Sequence, residues 1–202
     1  MKKIKLYSIF QRFSHWFQFV LILILALTGF EIHGSFTLFG FGSAIKLHDI
    51  AALTLIILYL FIFFWFATTG EWKQYILTRE KLTAMIVYYG KGIFRNEPHP
   101  VKKTELSKLN PLQRITYFTF RFFLIPLMVA TGILYFFASV NMGVEANPVK
   151  LISIIHLIGA FVIIAFVILH VYMTTTGHTL FSNIKAMIVG YEEIPEDDTD
   201  NN

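Results

Sequence analysis

The chain has 202 residues, 55% of them hydrophobic, and a formal net charge of +4 from 17 basic and 13 acidic residues. Soluble domains sit nearer about 45–50% apolar, so the mean hydropathy of +0.61 and the gathering of apolar residues into long runs mark an integral membrane protein. The absence of cysteine excludes disulfides, thiolate metal sites, iron–sulfur clusters held by this chain and covalent haem attachment through C-x-x-C-H.

Four stretches approach the roughly 20 apolar residues that cross a bilayer: residues 14–32, 47–68, 112–140 and 151–175. The first follows a basic start, "MKKIKLYSIFQR", in the manner of a signal peptide. No small-residue cleavage site follows it, so it is expected to remain as a span. The third contains Arg121 and Pro126 and is the least ordinary of the four.

Basic residues set the expected orientation. Lys2, Lys3, Lys5 and Arg12 precede the first span. Lys73, Arg79, Lys81, Lys91, Arg95, Lys102, Lys103 and Lys108 lie between the second and third, whereas the other two loops hold only Lys46 and Lys150. The expected fold is therefore an all-α membrane protein, a four-transmembrane-helix bundle with both termini cytoplasmic. Its domain spans residues 1–190 and ends in an acidic tail, residues 191–202, expected to be disordered. "KLTAMIVYYGKGIF" and "NIKAMIVGY" read as interfacial amphipathic helices in contact with lipid.

The two halves resemble each other. "QRFSHWFQFVLILILALTG" (residues 11–29) aligns with "QRITYFTFRFFLIPLMVATG" (113–132), and "HDIAALTLIILYLFIFFWFATTG" (48–70) with "HLIGAFVIIAFVILHVYMTTTG" (156–177). One helical hairpin used twice about an axis along the membrane normal accounts for this; chance similarity of apolar spans is the alternative. Under the alignment His48 and His156 are equivalent, and His15 falls opposite Tyr117.

His156 and His170 are fourteen residues apart. That is about 21 Å of helix and nearly four full turns, so both rings leave one face at two depths. His48 enters the second span at the depth expected for His156, and His15 enters the first at the depth expected for His170. Two pairs of imidazoles in an apolar bundle suit two six-coordinate haem irons, with porphyrin nitrogens equatorial and histidines axial, a set for electron transfer. His33, eighteen residues after His15 on the same helical face, is the alternative to His48. His99 and His178 read as non-ligands. Gly29, Gly132 and Gly159 are candidates for close approach of a macrocycle, or for ordinary helix packing. Arg12 and Arg114 near the inner haem and Lys46 near the outer one are candidate partners of propionates, with snorkelling as the alternative for the two arginines. Arg121, well inside the third span, is expected to face the interior and meet a propionate.

"RFSHW", "KLHD", "NPLQRITY" and the H-x13-H of "HLIGAFVIIAFVILH" resemble the four-helix dihaem cytochrome b subunits of bacterial formate dehydrogenases, nickel–iron hydrogenases and thiosulfate reductases. The resemblance covers residues 11 to about 190. It implies two haem b groups, one on His48 and His156 and the other on His15 and His170, in a multi-pass protein of the bacterial cytoplasmic (inner) membrane. It also implies a quinone site beside the inner haem at Asn110 and His170, with Gln113, Tyr117 and Thr174 nearby. The expected role is a membrane anchor that passes electrons between a periplasmic iron–sulfur or multihaem c-type subunit and the quinone pool; no nucleic acid is expected. Alternatives are a free-standing dihaem oxidoreductase and a haem-free transporter with a histidine relay.

Overall fold

The structure is a computed structural model that describes residues 2–95, 97, 100–101, 108–140, 146–177 and 179–194. His99, His178, Lys102, Lys103 and the tail from residue 195 lie outside the described residues. The elements in chain order are β1 (Lys2–Lys5), α1 (Ile9–Ile32), α2 (Phe41–Thr69), α3 (Leu82–Gly90), α4 (Pro111–Thr119), α5 (Ile125–Val140), α6 (Ala146–Thr174), α7 (Ser182–Val189) and β2 (Tyr191–Ile194). Single tighter turns occupy Glu71–Tyr75 and Gly92–Arg95, and a wider turn, Phe120–Leu124, joins α4 to α5.

Among the described residues four helices are long and apolar enough to cross a membrane: Ile9–Ile32, Phe41–Thr69, Pro111–Ala138 and Pro148–Thr174. Their faces carry exposed large apolar side chains, among them Phe61, Phe63 and Phe64 of α2 and Phe161 and Ile168 of α6. A helix meets all of its interior backbone hydrogen bonds within itself, so such faces can lie against lipid.

The third span is interrupted as its sequence suggests. Pro126 has no N–H to give the preceding turn, and the wide turn Phe120–Leu124 lies just before it, the usual device for absorbing such a break. Both hairpins begin with the same cap. The Ser8 hydroxyl accepts from the Gln11 N–H while the Gln11 side chain accepts from the Ser8 N–H. Asn110 and Gln113 do the same, with Pro111 at the first helical position. These reciprocal boxes satisfy donors that a helix start otherwise leaves open.

The described residues divide into two compact units. One holds Met1–Arg12, Thr69–Phe123 and Ile168–Asn202; the other holds Phe13–Thr68 and Leu124–Val167. In the first, β1 pairs antiparallel with β2, Lys3 opposite Glu193 and Lys5 opposite Tyr191. Ile4, Leu6 and Ala186 are buried together with Tyr7 against them. Expected disorder from residue 191 is thus corrected for Tyr191–Ile194: a basic strand supplies the partner that the acidic segment lacks alone. α3 and α7 fall where amphipathic helices were expected. In the second unit, the Glu31 carboxylate accepts from the N–H groups of Leu38, Phe39 and Gly40 at 2.7–3.0 Å. This pins the turn that launches α2, and with it the register of His48.

Candidate functional site

His48 stands two turns into α2 and His156 stands three turns into α6. Their rings face each other with centroids 6.4 Å apart and planes inclined by 65°. Each ring is held at Nδ1. His48 Nδ1 lies 2.9 Å from Thr28 Oγ1 of α1, and His156 Nδ1 lies 2.8 Å from Thr131 Oγ1 of α5. Both threonines are buried. The residue after each is a glycine, and a Cβ built there meets the imidazole: 3.6 Å from His48 Cε1 at Gly29 and 3.4 Å from His156 Cε1 at Gly132. Two Thr-Gly pairs, equivalent in the repeat, thus cradle two equivalent histidines.

Gly29 and Gly132 therefore lie at van der Waals contact from the two imidazoles. At Gly159 a Cβ would collide with Met128 Sδ, so that glycine serves α5–α6 packing. His33, the alternative to His48, follows α1 and is exposed.

His48 and His156 would fit as two ligands of one metal. Two metal–imidazole bonds of about 2 Å, with about 1 Å from each bonded nitrogen to its ring centre, would put the ring centres about 6 Å apart. With Nδ1 engaged by threonine, Nε2 is the nitrogen each ring offers. Among the described residues no group of three or more His, Asp or Glu side chains gathers, which is what a bare zinc or iron ion needs. Two imidazoles suit a metal whose remaining positions come from a macrocycle.

His15 and His170 belong to different units, and each is described with its own neighbours. The His15 ring meets Trp16 edge-on at 5.3 Å. His170 Nδ1 lies 3.2 Å from the Tyr117 hydroxyl, so the residue that stands opposite His15 in the repeat is in contact with His170. Asn110 is buried. Its carbonyl oxygen accepts from the Gln113 N–H, and its amide donates to the Tyr89 hydroxyl at 3.1 Å. The Asn183 amide donates to the Thr174 carbonyl at 3.1 Å.

The arginines have protein partners. Arg12 donates to the Ile188 carbonyl at the end of α7, where the last carbonyls of a helix lack intrahelical donors. Arg114 donates to the Leu109 carbonyl at 3.1 Å. The Arg121 guanidinium lies 5.0 Å from the centre of the Tyr75 ring, a cation–π contact of the kind that lowers the cost of a charge inside a span. Lys46 is exposed on α2. The threonines and Glu31 were not singled out from the sequence. The shared "TG" ending of spans one and three is the signal that points to Thr28 and Thr131.

Four long apolar helices with imidazoles facing inside them define a class, the multi-pass helical membrane cytochromes. The comparison of sequences is more specific. The family model described as prokaryotic cytochrome b561 matches residues 6–190, and the chain belongs to that family. It is a haem b-binding protein of electron transfer in the bacterial inner membrane. It is also 29% identical, over 197 residues, to "Putative cytochrome YdhU" of Escherichia coli (strain K12), an alignment that covers 94% of this chain and 75% of that protein.

Proposed function

We propose that the protein is a dihaem membrane subunit that carries electrons between a periplasmic redox partner and the quinone pool. One haem b is held by His48 and His156, the other by His15 and His170. The observation that carries the reading is the facing pair His48–His156 at 6.4 Å, with each Nδ1 at hydrogen-bond distance from a buried threonine hydroxyl. A bis-imidazole haem supplies one-electron chemistry with no open position for substrate.

The chain's own residues do the rest. The threonines orient the outer pair, and the apolar spans exclude water. By helix rise, His170 stands about 21 Å along α6 from His156. Tyr117 contacts His170 and Asn110 bonds Tyr89; these are polar groups of the kind a quinone carbonyl needs for hydrogen bonding. Arg12 and Arg121 are the cations proposed for propionates. Asn110 gives one amide N–H to Tyr89 and its carbonyl to the Gln113 N–H, so its second amide N–H is the donor proposed for a quinone carbonyl.

The test is electron entry from both sides. The purified, haem-loaded chain in nanodiscs is mixed with a reduced menaquinol analogue and haem reduction is followed at the α band. Reduction that is slowed at least tenfold in Asn110→Leu and His170→Ala, with the His48–His156 haem retained, supports the reading. Reduction at the wild-type rate in both variants excludes the proposed quinone site. Copurification of a stoichiometric iron–sulfur or multihaem c-type subunit from the native membrane supports the anchor role; a chain that purifies alone and fully active on a small diffusing reductant favours the free-standing alternative.

A further inference from the structure

We infer that Thr28 and Thr131 are positioning residues that fix the tautomer and the rotation of His48 and His156, and so set the redox poise of the haem between them. This rests on the reading of those histidines as axial ligands.

A threonine hydroxyl has one proton and two lone pairs. Thr28 Oγ1 lies 2.7 Å from the Ile24 carbonyl of its own helix, and Thr131 Oγ1 lies 2.7 Å from the Leu127 carbonyl. A carbonyl oxygen is only an acceptor, so an oxygen–oxygen contact this short requires the hydroxyl proton to lie on that line. The proton is thereby committed. The contacts of 2.9 Å to His48 Nδ1 and 2.8 Å to His156 Nδ1 must then run the other way, Nδ1–H donating to Oγ1. That assignment places each ring proton on Nδ1 and each free lone pair on Nε2, the tautomer that can ligate a metal.

Two consequences follow. An N–H held by an acceptor makes the opposite nitrogen a better electron donor and fixes the ring's orientation. Better donation favours the ferric state, so the threonines hold the potential down. The ring planes stay at the 65° the structure shows, since rotation about either Cβ–Cγ bond would break a buried hydrogen bond. The two threonines are equivalent in the repeat, so each acts on one side of the same iron.

The test uses the full-length, haem-loaded protein and four variants: Thr28→Val, Thr131→Val, and the serine variant at each position. Valine keeps the shape and removes the hydroxyl acceptor, leaving each ring only the backbone carbonyl of Leu25 or Met128 beside it; serine keeps the hydroxyl. The expected result for each valine variant is an upward shift of one haem's midpoint potential, a changed low-spin ferric EPR signal, which reports the angle between axial ring planes, and transfer of that haem to apomyoglobin accelerated at least about tenfold. Serine restores all three toward wild type, which a packing role of the γ-methyl would not do. If a valine variant does not accumulate, Thr→Cys at that position, whose thiol is a weak acceptor, is read in the same way. Unchanged potentials and EPR signals in the valine or cysteine variants at both positions overturn the inference. If instead His48→Ala and His156→Ala leave both haem signals intact, the ligand assignment itself fails and this inference falls with it.

Discussion

Gly132 and Gly29 lie against the His156 and His48 rings. A Cβ at Gly132 would sit 3.4 Å from His156 Cε1, and at Gly29 3.6 Å from His48 Cε1. These are contacts that an alanine methyl can make with small adjustments, but a branched chain cannot. Gly132→Ala is therefore expected to keep its haem content, whereas Gly132→Leu is expected to push His156 off axis and lose one haem of the chain while the other remains. Pyridine haemochrome quantitation of the two purified variants checks this. The histidines themselves were legible in the sequence because an imidazole inside an apolar run is costly and needs a reason. Their partners were not. A threonine in a helix ordinarily bonds its own preceding carbonyl, as Thr28 and Thr131 also do, and nothing in that habit announces a second bond to another helix. His33 illustrates the converse: its helical face is right, but it lies past the end of α1 and is exposed.

At the scale of elements, the spans were legible and their starts were not. The apolar run of the first span begins near residue 14, but α1 begins at Ile9; α2 begins at Phe41, ahead of the apolar run at residue 47. A helix starts where its first N–H groups find partners, and hydropathy records only where lipid begins. For α1 and α4 the capping boxes are those partners. Ser8→Ala and Asn110→Ala are each expected to cost about 1 kcal/mol, read as lower midpoints in thermal unfolding in detergent. Because Asn110 also donates to Tyr89, its variant should be the more destabilised of the two. The matched Gln-Arg at both hairpin starts, seen in the sequence as a repeat, thus has a physical cause: Gln11 and Gln113 both close such a box. The Glu31 clamp on the N–H groups of Leu38, Phe39 and Gly40 lies outside any helical period and was invisible to pattern reading. Glu31→Ala is expected to lower the melting temperature and to loosen the His48 haem before the other, visible as one haem exchanging faster with apomyoglobin.

For the whole molecule, the charge asymmetry and the strand pairing point the same way. Basic residues crowd the N-terminal segment and the loop between the second and third spans, and β1 pairs directly with β2, so Lys2–Lys5 and Tyr191–Ile194 lie side by side. With the positive-inside rule both are proposed to face the cytoplasm. Fluorescent-protein fusions at either terminus should glow, and alkaline phosphatase fusions there should be inactive; the reverse pattern would invert the proposed placement of the two histidine pairs. The central claim is that the chain carries two haems, each held by its own pair of histidines. The most direct measurement is haem quantitation with a reduced-minus-oxidised spectrum on the purified wild type and on the four single alanine variants of His15, His48, His156 and His170. The account predicts two haem b per chain in the wild type and the loss of one in every variant, with His48→Ala and His156→Ala losing the same spectral component and His15→Ala and His170→Ala losing the other. A single haem in the wild type, or a His48→Ala and His156→Ala pair that lose different components, would contradict it.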